Sequence, residues 1–166
     1  MEPDQVETVL EQWMRERPDV DVSAMAIIGR ISRLERMIRP HLDRIFHQHQ
    51  LESWEFDLLA TLRRSGDPYR LTAGQLLDSM MITSGAVTNR IDRLEQRGLI
   101  RREKDPADGR RVLVALTEDG LRKIDAALPD HAANETALLQ ALNPKDRATL
   151  AQLLRSLHHA VADVGR

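Results

Sequence analysis

The feature that most limits what this chain can fold into is the run from about residue 70 to residue 117, which includes LTAGQLLDSMMITSGAVTNRIDRLEQRGLIRREKDPADGRRVLVALT. Thr72 precedes AGQLLDSM as an N-cap, and Leu76, Leu77 and Met80 fall on the inward side of that short helix. Ile82-Thr83 supplies a turn. The next segment, SGAVTNRIDRLEQRG, places Val87, Ile91 and Leu94 at i, i+4 and i+7 and ends at Gly98, a fitting C-terminal cap. Residues 99–104 and 111–116 then read as two short strands. Between them DPADGRR holds two turn-favouring pairs, Asp105-Pro106 and Asp108-Gly109. Each signal alone is weak. Their order describes a helix-turn-helix followed by a two-stranded ribbon with a basic tip.

That order suits duplex DNA. The outward face of the second helix carries Ser84, Thr88, Asn89, Arg90, Asp92 and Arg93, whose hydroxyls, amide and guanidiniums can bond base edges and phosphates. Gly85 and Ser84 are small enough for close backbone approach, and such a helix enters the major groove. Arg110 and Arg111 at the ribbon tip suit the narrow, electronegative minor groove. The net charge of -2 decides nothing, but its distribution does. Residues 86–111 hold eight bases against five acids, while residues 1–20 hold six acids against two arginines. A local basic patch, not the total, is what meets phosphate.

The flanks read as helices. Residues 4–16 space Val6, Val9, Leu10, Trp13 and Met14 helically and stop before Pro18. Residues 22–49 form a long helix with a kink or break expected near Pro40. A helix from Glu52 or Ser53 to Arg64, capped by Ser53, presents Trp54, Leu58, Leu59 and Leu62, with Asp57 beside that face and an SGDP turn after it. Beyond Thr117 comes a helix carrying Leu121, Ile124 and Leu128, which Pro129 bends or restarts. Asn143-Pro144 then opens a last helix with Leu150, Leu153, Leu154, Leu157 and Val161. Apolar stripes at both ends of the chain, without a local partner, are expected to pack together and across a two-fold axis. A two-fold also spaces two recognition helices for successive major grooves.

The segment TSGAVTNRIDRLEQRGLIRREKDPADGRRVLVALTEDG closely resembles the winged helix-turn-helix of the MarR (multiple antibiotic resistance regulator) family, and the organisation extends over essentially the whole chain. The resemblance implies a mainly α fold with a small β-hairpin wing, flanked by N- and C-terminal dimerisation helices. It divides the chain into an extra helix plus a dimerisation helix (1–50), the DNA-binding region (51–117) and C-terminal dimerisation helices (118–166). It also implies a homodimer on a palindromic operator, commonly a repressor that releases DNA when an effector binds. A finer resemblance, to the urate-responsive PecS and HucR type, rests on Trp13, Asp57, Arg90 and a basic residue at Arg102, with Arg101 open as the alternative. There Trp and Asp help form the effector site and the recognition-helix Arg relays occupancy to DNA. A flat anionic purine suits stacking on an indole and bidentate contact with guanidinium.

The ligand-binding expectation is therefore Trp13, Asp57, Arg90 and Arg102, with urate or a related purine as the small anionic aromatic effector. A phenolic or other aromatic acid is the alternative effector, and a winged helix used only for protein contacts is the alternative class. No HExxH, no phosphate-cradling glycine loop and no nucleophile motif is present, so no enzyme is expected. Cys is absent, and the histidines at 41, 47, 49, 158 and 159 lack a ligand pattern, so neither metal nor cofactor is expected. The chain start lacks a secretory pattern and no run of 18 apolar residues occurs, which points to a cytoplasmic protein without a membrane partner.

Overall fold

The computed structural model describes residues 2–80 and 84–164, with the backbone alone for 84–86. Among them the elements run α1 (Gln5–Glu16), α2 (Met25–Gln48), α3 (Ser53–Arg64), β1 (Arg70–Thr72), α4 (Ala73–Met80), α5 (Ser84–Gln96), β2 (Ile100–Lys104), β3 (Val112–Leu116), α6 (Glu118–Leu138) and α7 (Pro144–Val164). The expected turn at Ile82-Thr83 lies outside the described residues. Residues 1–44 form one unit and residues 45–166 another.

In the N-terminal unit, Asp4 caps α1 by accepting from the Val6 and Glu7 amides, both at 2.9 Å, while the Glu7 carboxylate accepts from the Asp4 amide at 3.0 Å. This reciprocal box satisfies donors that the helix start leaves open. The same carboxylates hold α1 to α2, since Arg30 lies 2.8 Å from Asp4 and 3.2 Å from Glu7. Gly29 permits the approach, because a Cβ there would stand 3.3 Å from a Val6 methyl. Pro40 sits inside α2 without ending it. A proline removes one amide donor, and a helix of 24 residues retains the ladder on both sides. Val9, Trp13, Met14, Met25, Ile27, Ile28, Leu34 and Met37 remain exposed.

The C-terminal unit is built around α3, which packs against α4, α5, α6 and β3. Phe56, Leu58, Leu59 and Leu62 on α3 are buried with Leu51, Leu76, Leu94, Ile100, Val114 and Ile124. Trp54, expected on this buried face, is only half-buried, and Phe56 fills the core in its place. The cap of α3 is Glu52 rather than Ser53, which is the first helical residue. The Glu52 amide donates to Glu55 at 2.9 Å. Phe46 and Phe56 stack with centroids 4.6 Å apart, and the His131 ring lies 4.7 Å from Phe56.

The wing is a three-stranded antiparallel sheet in the order β1-β3-β2, so the expected ribbon gains a third strand. Arg70–Thr72 is too short for an alternating pattern to reveal it, and its residues pair Arg70 with Ala115 and Thr72 with Leu113. Strand β3 is therefore central, and Leu113, Val114, Ala115 and Leu116 are buried in succession. Thr72 still caps α4, accepting from the Gln75 amide at 3.2 Å while Gln75 accepts from the Thr72 amide at 2.8 Å. Gly98 ends α5 with φ of 70°. The Leu99 amide reaches the Leu94 carbonyl and the Gly98 amide the Glu95 carbonyl, the paired bonds of a left-handed helix terminus.

Helix α6 begins against the wing. Thr117 accepts from the Gly120 amide at 3.0 Å, and its hydroxyl donates to the Gly98 carbonyl at 2.7 Å. Pro129 lies inside α6 without interrupting it. Asn143 caps α7 by accepting from the Asp146 amide at 2.9 Å. Helix α7 has no buried residue, and Leu150, Leu153, Leu154 and Val161 are exposed. No described helix is long and apolar enough to cross a membrane, and no group of three metal-ligating side chains occurs among the described residues.

Candidate nucleic-acid interface and effector cleft

Burial of Val87, Ile91 and Leu94 fixes which side of α5 faces outward. Thr88 and Asn89 are exposed on it, Arg93 is exposed and Arg90 half-buried. The side chains of Ser84 and Gly85 lie outside the described residues. Arg90 and Arg93 share a contact that α5 alone does not foreshadow. Their guanidinium carbons sit over the Trp54 ring, 5.7 and 4.8 Å from its centroid.

At the ribbon tip the Ala107 amide donates to Asp105 and the Arg110 amide to Asp108, so both aspartates shape the turn through their side chains. The Arg111 guanidinium lies 3.2 Å from Asp108. Arg110 is exposed, and no hydrogen bond or ion pair engages its guanidinium among the described residues. Arg110→Ala is therefore expected to weaken duplex binding about tenfold and to lower the salt slope by about one. Arg111→Ala is expected to have the smaller effect, because Asp108 already occupies that guanidinium. Salt-controlled anisotropy titrations check both, and equal losses would show that the two arginines are equivalent.

Behind α5 lies a cleft of ≈ 490 Å³, within the range of small-molecule sites. Asp57, Arg64, Arg90 and His131 line it, with Phe56 as its aromatic wall. Two guanidiniums can hold an anion while the rings face a flat ligand. Asp57 and Arg90, separated by 33 positions, thus meet at one cleft. Arg102 does not line it. Its guanidinium binds Asp92 and Glu95 of α5, and its amide donates to Glu95 at 2.9 Å. The hydrogen bond to Asp92 raises the Arg102 pKa above its ordinary value. Arg101 instead donates to the Leu116 carbonyl at 2.8 Å. Nearby, the hydrogen bond from Arg70 holds the Glu103 carboxyl below its ordinary value. Trp13 belongs to the N-terminal unit, exposed on α1.

Sequence spacing did not point to Trp54 as a support for α5, nor to His131 and Arg64 as cleft residues. Trp54 at the start of an amphipathic helix reads as core, and a lone His or Arg on a helix carries no pattern of its own.

The MarR family model matches residues 49–111. The chain is 39% identical over 150 residues to the HTH-type transcriptional regulator PecS of Dickeya dadantii (strain 3937), covering 90% of each chain. BpsR of Bordetella bronchiseptica, solved in a study of how 6-hydroxynicotinic acid regulates its DNA binding, is 28% identical. That likeness covers 78% of this chain and 98% of the other with a TM-score of 0.63. A mutant MarR from E. coli complexed with operator DNA is 25% identical, covering 83% and 99% with a TM-score of 0.66. A helix-turn-helix with a three-stranded wing, together with relatives of this extent, places the chain in the MarR family of winged helix-turn-helix DNA-binding transcriptional regulators, which are not enzymes.

Proposed function

We propose that this regulator is a homodimeric repressor whose hold on a palindromic operator is loosened by a small anionic aromatic acid in the cleft behind α5. The observation that carries this is Arg90, which lines the cleft and also stands on the DNA-reading helix. An anion drawn to Arg90 changes the charge available to phosphate. Ser84, Gly85, Thr88, Asn89, Arg90, Arg93, Arg110 and Arg111 are the proposed DNA contacts. Residues 51–117 serve DNA binding, and segments 1–50 and 118–166 serve dimerisation. The uncovered apolar residues of α1, α2 and α7 support that assignment, since water-exposed stripes of this kind are ordinarily covered by a partner.

The likeness to BpsR favours a hydroxylated aromatic acid as the effector. Urate is the second reading, favoured by Asp57 beside Arg90, because a carboxylate can accept the ring N–H groups of a purine while guanidinium takes its charge. In that reading Trp13, Asp57 and Arg90 form the effector-responsive set, and Arg102 acts from outside the cleft through its bonds to Asp92 and Glu95 of α5. The test is a mobility shift on the duplex upstream of the protein's own gene, titrated with 6-hydroxynicotinate, a hydroxybenzoate and urate. At least one should release the duplex, and release by none would refute the reading. Trp13→Ala and Asp57→Asn are each expected to raise the releasing concentration about tenfold while leaving DNA affinity within about threefold of the parent, the scale of one lost recognition contact. Parent-like release by both would remove them from the effector site.

A further inference from the structure

We propose that Trp54 is a positioning residue for DNA binding, a platform on α3 that holds the Arg90 and Arg93 guanidiniums ready for the phosphate backbone. The proposal rests on the DNA-binding role of the family and goes beyond it in naming a side chain that acts through two arginines of α5.

Two observations support it. The first is geometric: both guanidinium carbons lie over one indole, within the roughly 6 Å over which a cation is drawn to a ring face. The second is what these arginines lack. Arg63, Arg70, Arg97, Arg101, Arg102 and Arg111 of the same unit are all engaged by carboxylates. Among the described residues, Arg90 and Arg93 have neither a hydrogen bond nor an ion pair, and Trp54 is their shared contact.

The difference matters chemically. A carboxylate consumes the guanidinium N–H donors and cancels its charge, so phosphate must compete with it. A ring face attracts the cation without accepting those N–H bonds along its edge, leaving the donors and the full charge for an incoming phosphate. It also restricts two long, flexible side chains before DNA arrives, so less freedom is lost on binding. Leu at position 54 would keep the apolar bulk and lose the ring face, whereas Phe would keep a ring.

The test uses the full-length protein and fluorescence anisotropy on two labelled duplexes, one from upstream of its own gene and one scrambled. Trp54→Leu is expected to weaken binding to the first about tenfold, the scale of two partly exposed cation–ring contacts. Trp54→Phe should stay within about threefold of the parent. Trp54→Leu combined with Arg93→Ala should be weaker than Arg93→Ala alone by clearly less than the Trp54→Leu loss, because the two substitutions remove one shared interaction. A second readout is independent of how Trp54→Leu folds. In a Trp13→Phe background Trp54 is the single remaining indole, and Arg93→Ala should change its emission. Parent-like affinity of Trp54→Leu, equal losses for Leu and Phe, fully additive losses, or unchanged emission would each overturn the platform. If Arg90→Ala and Arg93→Ala bind like the parent, the arginines do not read DNA and the proposal falls with that assignment. Failure of the parent to bind either duplex would overturn the DNA-binding reading as well.

Discussion

Gly120→Ala is expected to lower stability by about 3 kcal/mol, the upper side of ordinary overpacking costs. Helix propensity alone predicts the opposite sign, since alanine in a helix interior is better than glycine by about 1 kcal/mol. The contact decides. A Cβ on Gly120 would stand 1.9 Å from the Leu99 carbonyl oxygen and 2.9 Å from its carbon. Neither atom is the far end of a flexible side chain. That carbonyl also accepts from the Thr117 amide at 3.1 Å, so it is held in place by the start of α6 itself. Relief requires α6 to lift from the base of the wing, and Leu99 and Leu116 lose packing as it does. For a chain of this size the melting temperature should fall by roughly 6–12 °C. A thermal melt at or above the parent's would show that the helix and the wing do not approach this closely.

The second large effect is expected at Arg97. Its guanidinium lies 2.5 Å from Glu55, whose side chain is 3% exposed, and it also donates to the Gln50 carbonyl at 2.7 Å. Gln50 has a φ of 55°, a left-handed conformation that a non-glycine residue adopts at some cost, and Arg97 helps hold it. Arg97→Met would leave a buried carboxylate with its bond from the Glu52 amide but without a cation. The expected loss is about 2–3 kcal/mol, on the low side for a broken buried pair because the Arg97 side chain is 37% exposed. Urea unfolding measures it. Glu55→Leu combined with Arg97→Met should recover part of the loss, since removing both charges avoids an unpaired one. A double variant less stable than Arg97→Met would show that the Glu52–Glu55 cap, and not the ion pair, dominates. Because Glu55 opens α3 and Arg97 follows the last residue of α5, the pair also sets the seat of the recognition helix. Reduced duplex affinity in Arg97→Met should accompany the loss of stability.

The family, the helix-turn-helix and the wing were legible because each is written in local chemistry. Val87, Ile91 and Leu94 repeat at helical spacing, Gly98 supplies the left-handed stop, and DPADG shapes a turn through its own aspartates. Asn143-Pro144 and Thr72 act as caps within three residues of the helices they start. Strand β1 was not legible, since three residues carry no period and its partner β3 lies some 40 positions away. The Ser53 cap was one residue out, because Glu52 and Glu55 can form the reciprocal box as well as a hydroxyl can.

The candidate site divides in the same way. The sequence by itself determined which residue types stand on the outward face of α5 and at the wing tip, because amphipathic spacing assigns a face without reference to the rest of the chain. It could not determine what each arginine touches, since guanidinium partners are chosen by elements brought together in space. Tertiary structure alone decided that Arg102 is engaged by Asp92 and Glu95, and that Asp57 meets Arg90 at a cleft. It also set Trp54 beneath Arg90 and Arg93 and pressed Gly120 onto Leu99. Periodicity records which side of a helix is buried, whereas the identity of the neighbour depends on chain separations that no local pattern encodes.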